Sequence, residues 1–169
     1  QLHDQKVAVL GAGGVARAIV AGLAHHGARV VIYNRTFSKA EALARHFRDT
    51  SGQVVPARFQ KLCQSCCRIL VNCTSLGMHP HTETTALPPE ARPRGWGPDM
   101  VVFDTIYNPI ETRLLRDARE AGCKTIGGAQ MFVRQAAAQF ELWTGRPAPL
   151  ELFGQILEQQ LCAQHAAGS

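Results

Sequence analysis

A glycine-rich turn is the first segment with the residue types and spacing for chemistry, and it matches the pattern G-x-G-x-x-G/A: Gly11-Ala12-Gly13-Gly14-Val15-Ala16. It follows an apolar run and opens a helical pattern, the context in which this motif predicts a dinucleotide-binding turn. Gly11 permits the tight turn, Gly13 lets the backbone approach a pyrophosphate, and Ala16 allows close helix–strand packing. The helix N-terminus then offers N–H groups to the phosphates. The alternative is an ordinary glycine-rich turn.

A second candidate follows the next apolar run, at Asn34-Arg35-Thr36 and Lys39. NAD-binding domains usually carry Asp or Glu here, which accepts a hydrogen bond from the ribose 2′-hydroxyl. This segment has no carboxylate and two cations. A guanidinium can bind a 2′-phosphate in bidentate fashion, whereas a carboxylate would repel it. The segment predicts NADP rather than NAD as the cofactor, with Thr36 as a further donor, unless Arg35 and Lys39 are merely solvated.

Residues 10–18 together with Asn34-Arg35-Thr36 resemble the shikimate dehydrogenase family, and they also resemble the NADP domain of glutamyl-tRNA reductase. Later segments favour the first family. Residues 72–78 resemble its N-x-T-x-x-G-M segment, residues 104–109 its D-x-x-Y-x-P segment, and residues 127–137 its closing helix. The resemblance covers residues 6 to about 161. Two short segments resemble bifunctional dehydroquinate dehydratase–shikimate dehydrogenases in particular. They are Asn108-Pro109, which follows Tyr107, and Met131-Phe132-Val133 in the closing helix.

The resemblance implies further contacts to the nicotinamide half of the cofactor, from Thr74, Ser75, Thr105, Ile106, Gly128 and Met131. It also implies that Tyr107 and Gln135 contact the substrate. A phenol suits a hydroxylated carboxylate because it can donate and accept. Gln135 lies one helical turn after Met131, so one helix face can present both side chains. The alternatives are a structural role for Tyr107 and a core position for Met131.

The implied reaction is reversible hydride transfer between NADPH and 3-dehydroshikimate, giving shikimate. The cofactor carries the hydride chemistry, while the protein positions it and manages a proton. In the family, the acid–base Lys and Asp and the serines that bind the substrate carboxylate belong to an N-terminal domain. No position here matches them, so we assign no catalytic residue. We expect the chain to be one half of a longer polypeptide and to be inactive without its substrate-binding domain.

The sequence is also compatible with two other functions. One is a quinate/shikimate relative with a different substrate preference, which residues outside this chain would decide. The other is a non-catalytic NADP(H)-binding module, which would bind NADPH without turnover even in the full-length protein.

Strand-like apolar runs alternate with helical patterns along the chain. The pattern predicts strands at 6–10, 29–33, 53–56, 69–72, 100–104 and 124–126. It predicts a first helix with Val15, Ile19 and Leu23 inward, a second capped by Ser38 and running through Phe47, and a short cysteine-bearing helix. Further helices are predicted at about 111–121, 129–144 and 150–164, around a polar loop at 82–98. In the second helix we expect Ala42, Leu43 and Phe47 to face inward.

This alternation predicts a single α/β domain over residues 1–169, a Rossmann-like doubly wound parallel sheet with helices on both faces. Ligands on such sheets bind at the carboxyl ends of the strands. The last helix, about 150–164, is expected to pack towards the substrate-binding domain.

The amino-acid composition argues against several classes of function. The net charge is +5 over 169 residues, but the basic residues are dispersed, which argues against nucleic acid. No apolar run approaches the roughly 20 residues of a membrane span, and the polar opening indicates no signal peptide. Six cysteines include a C-x-x-C at 63–66 without a second pair, so we expect no metal site. Free thiols suit a reducing, cytoplasmic setting.

Overall fold

The computed structural model describes residues 2–50 and 52–167; residues 1, 51, 168 and 169 of the predicted domain lie outside this description. The described residues form a six-stranded sheet. Its strands are β1 (Lys6–Leu10), β2 (Arg29–Asn34), β3 (Gln53–Arg58), β4 (Ile69–Asn72), β5 (Val101–Asp104) and β6 (Lys124–Ile126). Every pairing is parallel, in the order β3-β2-β1-β4-β5-β6. The predicted Rossmann-like α/β fold is confirmed.

The sheet buries both of its faces, because alternate residues of β1 enter two different cores. Val7 and Val9 pack in one core and Ala8 and Leu10 in the other, all of them at most 1% exposed. The strand order reverses between β1 and β4, since the chain moves outward to β3 and then returns to the other side of β1. Such a switch point leaves a crevice at the carboxyl ends of the two central strands, where ligands of these folds bind.

Helix α1 (Gly14–His25) faces the sheet with a different row of residues from the one predicted. The fully buried residues are Ala16, Val20 and Ala24, whereas Val15 is 44% exposed. Ile19 and Leu23 pack only at the edge of the core. The prediction was wrong by one residue because it followed the largest apolar side chains. Alanines line the contact instead, and their small size lets the helix approach the strands closely. Gly27, at φ +75°, follows the helix end in the left-handed conformation typical of glycine at this position.

Helix α2 (Phe37–Arg45) begins and ends earlier than predicted. Thr36, not Ser38, occupies the N-cap position. Its buried residues are Ala40, Leu43 and Ala44, so the predicted inward position of Ala42 was wrong. Strand β3 extends two residues beyond the predicted 53–56, and Pro56 is tolerated there because β3 is an edge strand.

The predicted cysteine-bearing helix is a 3₁₀ helix, Phe59–Gln64, which carries Cys63 alone. Cys66 and Cys67 follow it in irregular structure. Cys67 is buried, Cys63 is partly buried and Cys66 is exposed. In the predicted polar loop at 82–98, Ala86 and Leu87 are buried against the sheet.

Three helices follow the loop: α3 (Arg113–Glu120), α4 (Gly128–Thr144) and α5 (Leu150–Ala167). The Thr112 side chain caps α3 by accepting a hydrogen bond from the Leu115 N–H, an N-cap arrangement that satisfies one free donor of the first turn. Helices α4 and α5 pack on each other through an edge-to-face contact between Phe140 and Phe153. Across residues 2–50 and 52–167, no helix combines the length and apolarity needed to cross a bilayer.

Candidate functional site

The glycine turn joins the carboxyl end of β1 to the start of α1. Gly11 adopts φ +104° and its N–H donates to the Tyr33 carbonyl oxygen at 2.8 Å, so the turn is tied to the end of β2. A Cβ at this position would stand 3.0 Å from the Cys73 carbonyl oxygen, just after β4. Both the backbone angle and the close neighbour therefore require glycine here.

Gly13 and Gly14 are not explained by packing within the chain. A Cβ built on either residue would meet no described atom within 4 Å. Gly13 caps α1 with extended backbone, and no side chain within residues 2–50 and 52–167 caps this helix. The first N–H groups of α1 are thus left for another acceptor, which a bound phosphate can supply. The geometry fits a group that approaches the backbone of the turn closely.

A cavity of about 470 Å³ lies beside the turn, over the carboxyl ends of β1, β2 and β4. It brings together five of the predicted cofactor residues, Gly11, Asn34, Arg35, Thr74 and Ser75. Its other wall includes Phe59, Gln60, Thr85, Ala86 and Pro88, which were not predicted from the sequence. They come from the 3₁₀ helix and the polar loop. No local sequence pattern predicts that these two segments fold back over the sheet.

A second cavity, of about 360 Å³, lies on the other side of the turn, between α1 and α2. It holds four more of the predicted cofactor residues: Ala12, Gly13, Gly14 and Lys39. Arg17 and His46 complete its polar lining and were not predicted. Arg17 lies one helical turn after Gly13, a spacing that could have indicated it. Between the two cavities, the Asn34 amide donates to the Thr36 carbonyl oxygen at 2.8 Å and fixes the β2–α2 connection.

Buried polar side chains connect the ends of β4 and β5. The Asn72 amide nitrogen donates to Asp104 Oδ1 at 3.0 Å, and its oxygen accepts from the Thr74 N–H and hydroxyl. Asp104 Oδ2 accepts from the Thr112 hydroxyl at 2.7 Å. Burial raises the pKa of Asp104, and its hydrogen bonds with Thr112, the Ile106 N–H and Asn72 oppose that rise. These bonds satisfy Asp104 within the protein, so its role is to hold the loops that carry Thr74 and Ile106.

The same surroundings suppress the reactivity of the neighbouring thiol. Burial, reinforced by the Asp104 charge, raises the pKa of Cys73 to about 12, and a thiol is nucleophilic only as the thiolate. We expect iodoacetamide at neutral pH to modify the exposed Cys66 at least about tenfold faster than Cys73. Peptide mass spectrometry after timed quenching would measure both rates. Labelling of Cys73 at the rate of Cys66 in folded protein would show that this loop is open.

The end of β5 is packed beneath the start of α4. Thr105 and Ile106 are 9% and 5% exposed, and the Thr105 hydroxyl donates to the Asn72 carbonyl oxygen at 2.9 Å. The Gly128 N–H donates to the Ile106 carbonyl oxygen at 3.2 Å. A Cβ at Gly128 would overlap the carbonyl oxygens of both Thr105 and Ile106. Gly128 therefore sets how closely α4 approaches the carboxyl end of β5.

The predicted substrate residues lie next to this contact. Tyr107 is 39% exposed, and its ring stacks on that of Phe132 with 4.4 Å between centroids and 27° between planes. Met131 is partly buried and Gln135 is exposed, one turn apart on α4. Phe132 was not predicted to take part. Its contact with Tyr107 joins residues 25 positions apart, which single-sequence patterns do not reveal.

Two family models match this chain. The model described as shikimate / quinate 5-dehydrogenase matches residues 1–104, and the model described as shikimate 5′-dehydrogenase C-terminal domain matches residues 128–157.

Relatives of this chain carry matching names. The NADP(+) shikimate dehydrogenase of Methanosarcina acetivorans is 41% identical over 96% of this chain and 58% of its own length. A chloroplastic bifunctional 3-dehydroquinate dehydratase/shikimate dehydrogenase of Arabidopsis thaliana is 40% identical over 94% of this chain and 25% of its own length. The chain thus spans little more than half the length of the monofunctional relatives it matches.

Solved structures share the fold over most of the chain. Shikimate 5-dehydrogenase of Thermus thermophilus, in complex with NADP(H) and shikimate, has a TM-score of 0.76 at 33% identity, covering 94% of this chain and 56% of its own. A 5-ketofructose reductase from Gluconobacter, in ligand-free form, has a TM-score of 0.79 at 34% identity and covers 94% and 57%.

Proposed function

Because the chain belongs to the shikimate / quinate 5-dehydrogenase family, we propose that it is the NADP(H)-binding domain of a shikimate dehydrogenase. The whole enzyme would catalyse the reversible NADPH-dependent reduction of 3-dehydroshikimate to shikimate. The observation that carries this proposal is the arrangement around the glycine turn. The helix N-terminus is open to a phosphate, and Arg35 and Lys39 line the cavities on its two sides.

In this proposal, Gly13 and Gly14, with Ala12 and Val15, bind the pyrophosphate through backbone N–H groups. Asn34 and Gly11 face the adenosine in the larger cavity, which is partly apolar and so suits a ring. Arg35, Thr36 and Lys39 surround the 2′-phosphate. The two cations attract it, and in the described part of the chain no carboxylate lines either cavity to repel it. This charge distribution supports NADP over NAD.

On the other side of the sheet centre, we assign Thr74 and Ser75 to the nicotinamide ribose, and Thr105, Ile106, Gly128 and Met131 to the ring. The bound cofactor supplies the hydride. The chain's own part is to fix the loop ends through the Asn72–Asp104–Thr112 hydrogen bonds and to present an apolar wall that excludes water. Tyr107 and Gln135 would orient the substrate hydroxyl groups by hydrogen bonding.

A second domain of the same polypeptide is part of this proposal, since the catalytic Lys and Asp of the family have no counterpart here. Large apolar side chains on α4 and α5 are exposed, with Leu142 at 81% and Trp143 at 76%. Further exposed residues are Phe132, Leu150, Leu152 and Ile156. An apolar surface of this kind marks an interaction site. We place the substrate-binding domain against this apolar surface. We further propose that the protein acts in aromatic amino acid biosynthesis in the cytoplasm.

A second candidate function has specific support. The family model names quinate beside shikimate, and the matching reductase from Gluconobacter is named for 5-ketofructose. The fold of this half is therefore compatible with other polyol substrates.

The test of the proposed function is turnover by the complete polypeptide. Shikimate, quinate and fructose would each be offered with NADP⁺ and with NAD⁺, and nucleotide reduction followed by absorbance. We expect shikimate with NADP⁺ to give the highest kcat/KM. A higher value with another polyol would move the assignment to the second candidate. NADPH binding without turnover of any substrate would identify a non-catalytic module.

The stacking of Tyr107 on Phe132 leads to a prediction for this enzyme. Phe132→Ala should raise the KM for shikimate about 3- to 10-fold, because an aromatic pair of this kind contributes roughly 0.5–1.5 kcal/mol to holding its ring. Phe132→Tyr keeps a ring and should restore the KM. Steady-state kinetics at saturating NADP⁺ would measure both variants. An unchanged KM in Phe132→Ala would mean that Tyr107 needs no support or does not contact substrate.

A further inference from the structure

The second cavity contains a contact between two side chains from different helices. The Arg17 guanidinium, on α1, lies 3.0 Å from His46 Nε2, which follows the end of α2. Both side chains are exposed, and both line the cavity together with Gly13, Gly14 and Lys39. Because His46 holds its guanidinium, the exposed Arg17 side chain has fewer rotamers available before a ligand binds than a freely solvated arginine has.

Two contacts of His46 indicate which ring nitrogen donates and which accepts. His46 Nδ1 lies 2.8 Å from the Ala42 carbonyl oxygen, and a carbonyl can only accept. Nδ1 therefore carries the proton. Arginine can only donate, so Nε2 must be unprotonated and accept from Arg17. The neutral Nδ1–H tautomer is the one form of His46 that satisfies both contacts.

The charges around the cavity favour an anionic ligand. Arg17 and Lys39 line it from α1 and α2, and no carboxylate among the described residues does. Glu41, the acidic residue of α2, lines a different groove with Arg45 and Arg48. The hydrogen bond to His46 holds the Arg17 guanidinium against the face of α2 that also carries Lys39, seven residues earlier. Arg17 and Lys39 therefore line the same cavity beside the glycine turn.

We propose that Arg17 is an additional ligand of the cofactor 2′-phosphate and that His46 is the residue that positions its guanidinium. The pair then contributes to the preference for NADP over NAD. This inference rests on the proposed function, since it requires a nucleotide at the glycine turn. Beyond that function, it adds Arg17 on α1 as a residue that determines cofactor specificity, and His46, after α2, as the residue that supports Arg17.

The test compares adenosine 2′,5′-bisphosphate with adenosine 5′-monophosphate, which differ only in the 2′-phosphate. Arg17→Met and His46→Leu should each weaken bisphosphate binding about fivefold, as expected for one exposed charge-assisted contact, and monophosphate binding less than twofold. His46→Gln keeps an acceptor near the position of Nε2 and should restore most of the affinity. The double variant Arg17→Met/His46→Leu should bind no more weakly than Arg17→Met. His26→Leu, at the other end of α1, is the matched control and should have no effect.

Several outcomes would overturn the inference. They are equal losses for both nucleotides, a His46→Gln variant as weak as His46→Leu, or additive losses in the double variant. Calorimetric titration gives these affinities, and circular dichroism confirms that each variant is folded. Failure of the proposed function looks different, because the unmodified protein would then show no preference for the bisphosphate at all.

Discussion

The Gly128→Ala variant is expected to lose about 3 kcal/mol of unfolding free energy, because the added methyl group has no space. It would overlap the carbonyl oxygens of Thr105 and Ile106, which are backbone atoms and cannot rotate away. The strand end that carries them is held by the Thr105 hydroxyl bond to Asn72 and by the Asp104 hydrogen bonds. Overpacking against fixed backbone costs about 1–3 kcal/mol, and more when nothing can shift.

Urea unfolding followed by circular dichroism would measure this loss. The matched control is Gly154→Ala in α5, where a Cβ would meet no described atom within 4 Å. That variant should be more stable by up to about 1 kcal/mol, since alanine favours a helix over glycine. If Gly128→Ala were as stable as Gly154→Ala, α4 would not approach the end of β5 as closely as described. NADPH binding by Gly128→Ala should also weaken, because Met131 moves with the helix.

The Arg35→Ala variant is expected to bind NADPH about 10- to 100-fold more weakly, with NADH binding changed less than twofold. Charge-assisted hydrogen bonds contribute about 1.5–3 kcal/mol, and only NADPH carries the phosphate that receives them. Arg35 lines the larger cavity beside Asn34 and is exposed, so its removal should not disturb the fold.

Arg48→Ala provides the matched control for Arg35→Ala. It removes the same charge from a groove on the outer side of α2, formed with Glu41 and Val54. Nucleotide fluorescence titrations at fixed ionic strength should show no selective loss for this variant. An equal loss of NADPH affinity in Arg48→Ala would mean that net positive charge, rather than a 2′-phosphate site, governs binding.

The strands and their polar ends were predictable from sequence because their signals are local. Buried parallel strands are short apolar runs, and the carboxyl ends of parallel strands meet at one edge. Gly11, Arg35 and Thr74 each follow a predicted strand, and the structure brings all three to one cavity. The α/β fold and the location of the candidate site follow from these patterns alone.

Contacts between distant segments were not predictable in this way. The inward row of α1 was assigned to Val15, whereas the close approach of helix to sheet selects Ala16 and Val20. The hydrogen bonds from Asn72 and Thr112 to Asp104, and the contact of Arg17 with His46, join residues that only the folded chain brings together. Contacts of this kind produce no periodic pattern in a single sequence.

The most direct test of NADP(H) binding at the glycine turn is a fluorescence titration of this chain with NADPH and with NADH. We expect saturable binding of NADPH that is at least about tenfold tighter than that of NADH, since the 2′-phosphate meets two or more cations. Folded protein, verified by circular dichroism, that binds neither nucleotide or prefers NADH would contradict the assignment of the glycine turn and its flanking cavities to NADP(H).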